Sequence, residues 1–102
     1  MITRIWHGKT LLKDADEYLN FLLSEGTQEY RQTAGNLSVR VWQSREGDIC
    51  HFWTVTEWQN FDAIIAFAGE DYERAKYYPF DEGKLLEFEE QVRHFESFVV
   101  GG

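Results

Sequence analysis

The chain has 102 residues, 43% of them hydrophobic and 17% aromatic, an apolar content that suits one small domain over residues 1–100 with Gly101 and Gly102 as a tail. Eighteen acidic against ten basic residues give a net charge of -8, spread along the chain, which repels nucleic-acid backbones and anionic lipid surfaces. Cys50 is the only cysteine, so a disulfide framework and an all-cysteine metal site are excluded. No apolar run or leader-like segment precedes the first strand, so neither nucleic acid nor membrane is an expected partner and the cytoplasm is the expected compartment.

Ile2 to Lys9 reads as a first strand carrying Ile2, Ile5 and Trp6. Asp14, Asp16 and Glu17 favour the positive end of a following helix, in which Leu11, Ala15, Tyr18, Leu19 and Leu22 repeat at helical spacing, and Gly26 is its expected stop. Residues 27–36 hold too little apolar material for a full element. Leu37, Val39 and Val41 then alternate with Ser38, Arg40 and Trp42 as a second strand, and Arg45-Glu46-Gly47-Asp48 makes a tight turn.

Ile49 to Val55 is the return strand, apolar on both parities: Cys50 and Phe52 on one face, Ile49, Trp53 and Val55 on the other. Thr56 with Gln59 reads as a capping box opening a helix whose apolar side carries Trp58, Phe61, Ile64, Ile65 and Ala68, ended by Gly69. A short helix is expected over Tyr72 to Tyr78, stopped by Pro79, and a last strand over Gln91 to Val100.

This order, β-α-β-β-α-β, is the ferredoxin-like α+β arrangement, an antiparallel sheet of strand order 4-1-3-2 with both helices on one face. A bare second face should be polar if it met water. Here it carries Ile49, Trp53 and Val55 or else Cys50 and Phe52, so a homodimer is expected through the sheet face opposite the helices.

The chemical groups are few. There is no Gly-rich phosphate loop, His-Glu-x-x-His, Cys-x-x-Cys or nucleophile elbow, and Cys50 reads as a buried structural thiol. With strands 1 and 3 taken as parallel, His7 and His51 should stand roughly 10–15 Å apart at about 3.3 Å per residue, which argues against a three-histidine metal site; no metal is expected. His94, early in the last strand, should lie beside Trp6 or His7, either as a structural histidine or as an acid, base or hydrogen-bond donor toward a ligand. The aromatics divide between core and a cavity for a flat aromatic ligand. Arg93 is either a phenolate- or carboxylate-binding group or a solvated strand-edge cation.

Arg4-Ile5-Trp6-His7-Gly8, Tyr30 with Thr33 to Asn36, Thr56-Glu57-Trp58, Phe67-Ala68-Gly69-Glu70-Asp71, Ala75 with Tyr77-Tyr78-Pro79, and Val92-Arg93-His94-Phe95-Glu96 resemble the antibiotic biosynthesis monooxygenase superfamily of dimeric α/β barrels. The resemblance spans nearly the whole chain and is closest to a bacterial subgroup of small stand-alone proteins. It implies a dimer whose sheets form a barrel, with one ligand cavity per subunit between helices and sheet. It also implies oxidation of a small phenol- or quinol-type substrate with no cofactor, His94 or His7 taking the hydroxyl proton and Trp6, Trp58, Phe67, Tyr77 and Arg93 binding the substrate. A non-catalytic or stress-related small-molecule binder is the alternative. For the haem-degrading branch, the positions of its strand-1 Asn, its Trp and its His look like Trp6 or His7, Phe67 and Tyr77 here, so the proximal histidine and its tryptophan are both missing.

Overall fold

The computed structural model describes residues 1–102. Four strands form one antiparallel sheet: β1 (Ile2–Leu11), β2 (Asn36–Glu46), β3 (Ile49–Trp58) and β4 (Arg93–Glu96), in the order β2-β3-β1-β4. That is the expected 4-1-3-2 sequence read from the other edge. Three helices, α1 (Ala15–Leu23), α2 (Gln28–Gln32) and α3 (Phe61–Ala68), accompany the sheet. The expected ferredoxin-like architecture is present.

The register assigns every strand residue to a face. Arg4, Trp6, Gly8 and Thr10 of β1 are buried, as are Cys50, Phe52, Thr54, Thr56 and Trp58 of β3, so the even-numbered parity of both strands faces the helices. Ile5 pairs with Val55, His7 with Trp53 and Lys9 with His51 on the opposite, open face. Trp42 is opposite Trp53 and Arg93 opposite Ile5, which brings β2 and β4 onto the same face. The core is therefore one-sided: α1 buries Ala15, Tyr18, Phe21 and Leu22 against Trp6, Cys50 and Phe52, and α3 buries Ala63, Ile64 and Phe67 against Tyr30 and Trp58.

Several expectations need correction. β1 and β3 are antiparallel, because β2 returns to β3 through a hairpin and β3, not β2, lies beside β1. The capping box at Thr56 does not exist: Thr56 and Trp58 continue β3 to pair with both β1 and β2, and the helix cap is Asn60, whose side chain accepts from the Ala63 N–H at 2.9 Å. Trp58 thus leaves the helix face it was assigned to and becomes a fully buried strand residue. The first helix stops at Leu23, before Gly26, which lies buried in a 3-10 turn over Glu25–Thr27; α2 then occupies part of the expected connection and buries Tyr30.

No helix forms over residues 72–78, and β4 is limited to four residues. Residues 69–92 run as an irregular strap whose backbone groups are satisfied singly, by the 2.9 Å bond from the Ala75 N–H to the Glu90 carbonyl, the 2.8 Å bond from Val92 to Glu73 and the 2.9 Å bond from Leu86 to Lys9. Gly47 (φ 59) in the hairpin and Gly69 (φ 87) after α3 take the left-handed conformations their turns require. Gly8 is needed for room: a Cβ there would stand 2.4 Å from the Trp6 ring, so the indole lies across the bare backbone of β1.

Candidate functional site

The sheet divides the anticipated site residues between two faces. Trp6, Trp58, Phe67 and His94 face the helices, whereas His7 and Arg93 face the open side, so His7 and His94 do not share a pocket. The cause is parity: His94 pairs with Arg4, on the helix face, and His7 is three residues further along the strand, on the other. Tyr77 lies at the margin, its ring edge-on to Trp6 at 6.3 Å and its hydroxyl donating to the Glu89 carbonyl at 2.6 Å.

On the helix side a small, half-open cavity is floored by Trp6 and Thr54 and walled by Tyr18, Tyr30, Lys76, Tyr78 and Asp81; Arg4 and His94 do not line it. The room for the centre of a water-sized sphere is about 20 Å³, enough for about one water molecule. Its polar wall is organised. Buried Asp81 accepts from the Tyr18 hydroxyl at 2.7 Å and the Tyr78 N–H at 2.6 Å, and burial raises its carboxyl above the usual range against the opposing pull of those bonds. The Tyr18 and Tyr78 hydroxyls are pushed up by burial first and by their carboxylate partners second, so both remain neutral donors. Tyr30 and Thr54 share a hydrogen bond of 3.1 Å.

A latch ties Lys76 and Tyr78 of the cavity wall to α2. Glu29 of α2 accepts from Lys76 at 2.7 Å and from the Tyr78 hydroxyl at 3.0 Å, and Lys76 also donates to the Phe67 carbonyl at 3.0 Å while lying 4.3 Å over the Phe67 ring. Partial burial works against the Glu29 charge, but the hydrogen bonds from Lys76 and Tyr78 prevail and hold its carboxyl below the usual range. Phe67 is therefore the platform for the latch and the stacking partner of Tyr30, at 4.6 Å. Trp58, with its N–H given to Thr56 at 2.8 Å, is core and does not line the cavity.

Sequence reasoning missed Arg4. Only 1% exposed, it has no carboxylate within ion-pairing distance; one terminal nitrogen reaches the Arg74 carbonyl at 3.3 Å and Nε has no partner. Burial lowers its pKa, partly offset by the Tyr30 and Tyr78 hydroxyls. Leaving a buried cation unpaired costs several kcal/mol. The partial signal was parity: Arg4 shares a face of its strand with Trp6 and Gly8, but which face meets the helices was left open by the sequence. Across the strand pair, His94 is packed against Tyr72 and Phe61, and its Nε2 also lacks a partner. Burial, with the Arg4 charge second, lowers its pKa to about 4, so the ring is neutral at neutral pH.

The open face carries a different group. His7 Nε2 and His51 Nδ1 are 2.9 Å apart, contrary to the separation expected for parallel strands, and the rings stack at 5.1 Å. Glu89 meets His7 Nδ1 and Glu46 stands 3.3 Å from His51 Nε2. His94 is on the other face, so the three histidines do not converge, and no three acidic, histidine or cysteine side chains are grouped to hold a metal ion. Arg93 is exposed, its guanidinium 4.7 Å over the Phe95 ring.

The class defined by this geometry is a ferredoxin-like α+β domain with a small aromatic cavity under its helices. No family model matches the chain, and no curated protein does. Solved structures share the fold over its whole length. An antibiotic biosynthesis monooxygenase superposes with a TM-score of 0.64 at 21% identity, covering 97% of this chain and 100% of that one. The haem-degrader MhuD from Mycobacterium tuberculosis, with two haems bound in its active site, gives 0.59 at 16% identity, with 100% of both chains covered. A single-substitution variant of MhuD with two manganese protoporphyrin IX molecules per active site gives 0.63 at 18%, also with 100% of both chains covered. The fold of this chain is thus the one that the superfamily of the resemblance uses.

Proposed function

We propose that the chain is a cofactor-independent monooxygenase of the antibiotic biosynthesis monooxygenase class, acting on a small phenol- or quinol-type substrate in the helix-side cavity, as a homodimer closed through the open sheet face. The observation that carries this reading is the aromatic cavity floored by Trp6, with a neutral, unpartnered His94 and the Arg4 charge further along the same face. The cavity is too small for a ring and neither Arg4 nor His94 lines it, so a substrate that reaches them has to displace the strap around Tyr78, breaking the exposed bonds to Glu29.

With a substrate in place, His94 Nε2 accepts the hydroxyl proton and Arg4 offsets the charge left on the oxygen. The anion gives one electron to O₂, and the superoxide and substrate radical combine at the activated ring carbon. Cleavage of the O–O bond then leaves one oxygen atom as a carbonyl on carbon and releases the other as water, so that a CH₂ group in its enolic, phenol-like form plus O₂ becomes a carbonyl plus water. Dry walls matter because the anion and the radical pair are stabilised by fixed dipoles and not by solvent. His7, on the other face, takes no part in this step, and Arg93 belongs with it on the dimer side.

Haem fits these residues poorly as a substrate. The side chain at the position that the resemblance matches to the proximal histidine is Tyr77, whose hydroxyl is already given to the Glu89 carbonyl and whose pKa burial raises against the opposing pull of the Trp6 N–H, with Glu89, Asp81 and Glu87 adding to the rise. An iron ligand would have to be the phenolate. A non-catalytic binder of a small aromatic is the second reading, favoured by the low basicity of His94. Oxygen uptake with a panel of quinols and anthrones separates the two. Turnover is expected, with His94→Ala slower by roughly 10²–10⁴ in a folded protein; binding without oxygen consumption establishes the binder instead.

A further inference from the structure

We propose that the ligand of the helix-side cavity is an anion, a carboxylate or an enolate conjugated to a small ring, and that Arg4 is the residue that receives it. This deepens the reading above by naming the ligand class, and it rests on that reading only for the location of the site.

Three buried nitrogens of this protein have no hydrogen-bond partner: Arg4 Nε, Trp6 Nε1 and His94 Nε2. Two of them are neighbours: His94 is the cross-strand partner of Arg4, whereas the Trp6 ring lies over Gly8 and beside Tyr77. A guanidinium carries only donors, so what Arg4 lacks is an acceptor oxygen, while the neutral His94 ring beside it leaves one nitrogen to accept a proton. A guanidinium is also the group whose fork matches a carboxylate in two parallel bonds. Here the fork is nearly free, with a single 3.3 Å bond to the Arg74 carbonyl.

The surroundings withhold any internal counter-ion. The chain carries a net charge of -8, yet no carboxylate pairs with its most buried cation. Glu29 is engaged by Lys76 and Tyr78, and Asp81 by Tyr18 and the Tyr78 backbone, so both acids of the cavity region are already committed. Near the guanidinium are the Tyr30 hydroxyl, which is within hydrogen-bonding influence of it, the Tyr78 hydroxyl, and the Phe67 ring at 5.3 Å, stacked on Tyr30. A ring entering under Tyr78 would meet aromatic walls, and its charged end would meet Arg4.

The test uses benzoate and its neutral isostere benzamide, titrated into the intact protein and followed by calorimetry and by the histidine ring signals. Benzoate is expected to bind at least about tenfold more tightly than benzamide, a difference of about 1.4 kcal/mol. Arg4→Gln should abolish that preference, and Arg4→Lys, which keeps the charge without the fork, should retain part of it. Benzoate should also raise the His94 pKa from its value of about 4, since a bound anion cancels the Arg4 charge beside it. Equal affinity for the two probes, no benzoate binding below a Kd of about 10 mM, or a preference that survives in Arg4→Gln each overturns the proposal. The wild-type comparison decides even if Arg4→Gln fails to fold. Oxygen uptake is read separately: benzoate preference without quinol oxidation sinks the monooxygenase reading alone, and oxidation without the preference sinks the anion site alone.

Discussion

A neutral histidine beside a buried arginine leaves a measurable imprint on stability. His94 has an ordinary pKa of 6.5 and a folded value of about 4, lowered first by burial and then by Arg4. The unfolded chain therefore binds a proton there that the folded chain refuses, and acid favours unfolding. This contribution is complete above about pH 6.5, is lost as the pH falls toward about 4 and is constant below that. At about 1.4 kcal/mol per unit, and discounted for the solvent that reaches the ring, it amounts to about 1–3 kcal/mol. Chemical denaturation at pH 7.5 and pH 4.5 should show His94→Asn losing less stability on acidification than the wild type by that amount. Equal losses would mean that the ring is solvated and not held neutral by its surroundings. At this scale the sequence was readable where parity alone decides, as for the separation of Cys50 and Phe52 from Trp53 onto opposite faces, though not for which face meets the helices. It was unreadable where a contact crosses elements, because nothing in the order of residues shows that Arg4 lacks an acid or that His7 reaches His51.

Elements were legible in proportion to the periodicity that builds them. β1, α1 and the hairpin around Gly47 declare themselves by alternation, helical spacing and a turn residue. The end of β3 does not, since Thr56 with Gln59 satisfies a capping pattern while Thr54, Val55 and Thr56 form a β-branched run that the two flanking strands extend to Trp58. Residues 69–92 have no period to read, and their path is fixed by isolated bonds, chiefly those to Asp81, Glu29 and Glu89. Such a segment is expected to open at less cost than the sheet. Glu29→Ala removes the two bonds that hold Lys76 and Tyr78 to α2. Because that ion pair is partly solvated, global stability should change by no more than about 1 kcal/mol. Amide exchange over residues 72–81 should nevertheless quicken several-fold, with the β1 and β3 amides unaffected. Unchanged exchange in the strap would show that Asp81 alone holds it.

For the whole molecule, the unresolved balance is the open sheet face. Ile5, Trp42, Trp53 and Phe95 lie on it around a hollow of about 230 Å³, and Trp42 and Phe95 are 49% and 40% exposed. An antiparallel sheet that meets water on one side carries polar residues there. Here two indoles, a phenyl ring and the His7–His51 pair occupy it instead, an apolar patch of the kind that marks an interaction surface. A second copy is the expected partner: an isologous contact would set the same apolar patch against itself, and Arg93, which is in no ion pair within the chain, would be free to meet a carboxylate of the other copy. The wild type should sediment as a dimer at micromolar concentration. Trp42→Glu places a charge opposite Trp53 and should shift the protein toward monomer by at least about tenfold in dissociation constant, while Leu23→Glu, on an exposed helix position, should leave assembly unchanged. A wild-type monomer at that concentration, or a Trp42→Glu protein that remains dimeric, would assign the face to some other partner. The helix-side cavity lies across the sheet from this surface, so loss of the dimer should weaken benzoate binding only as far as the sheet itself loosens.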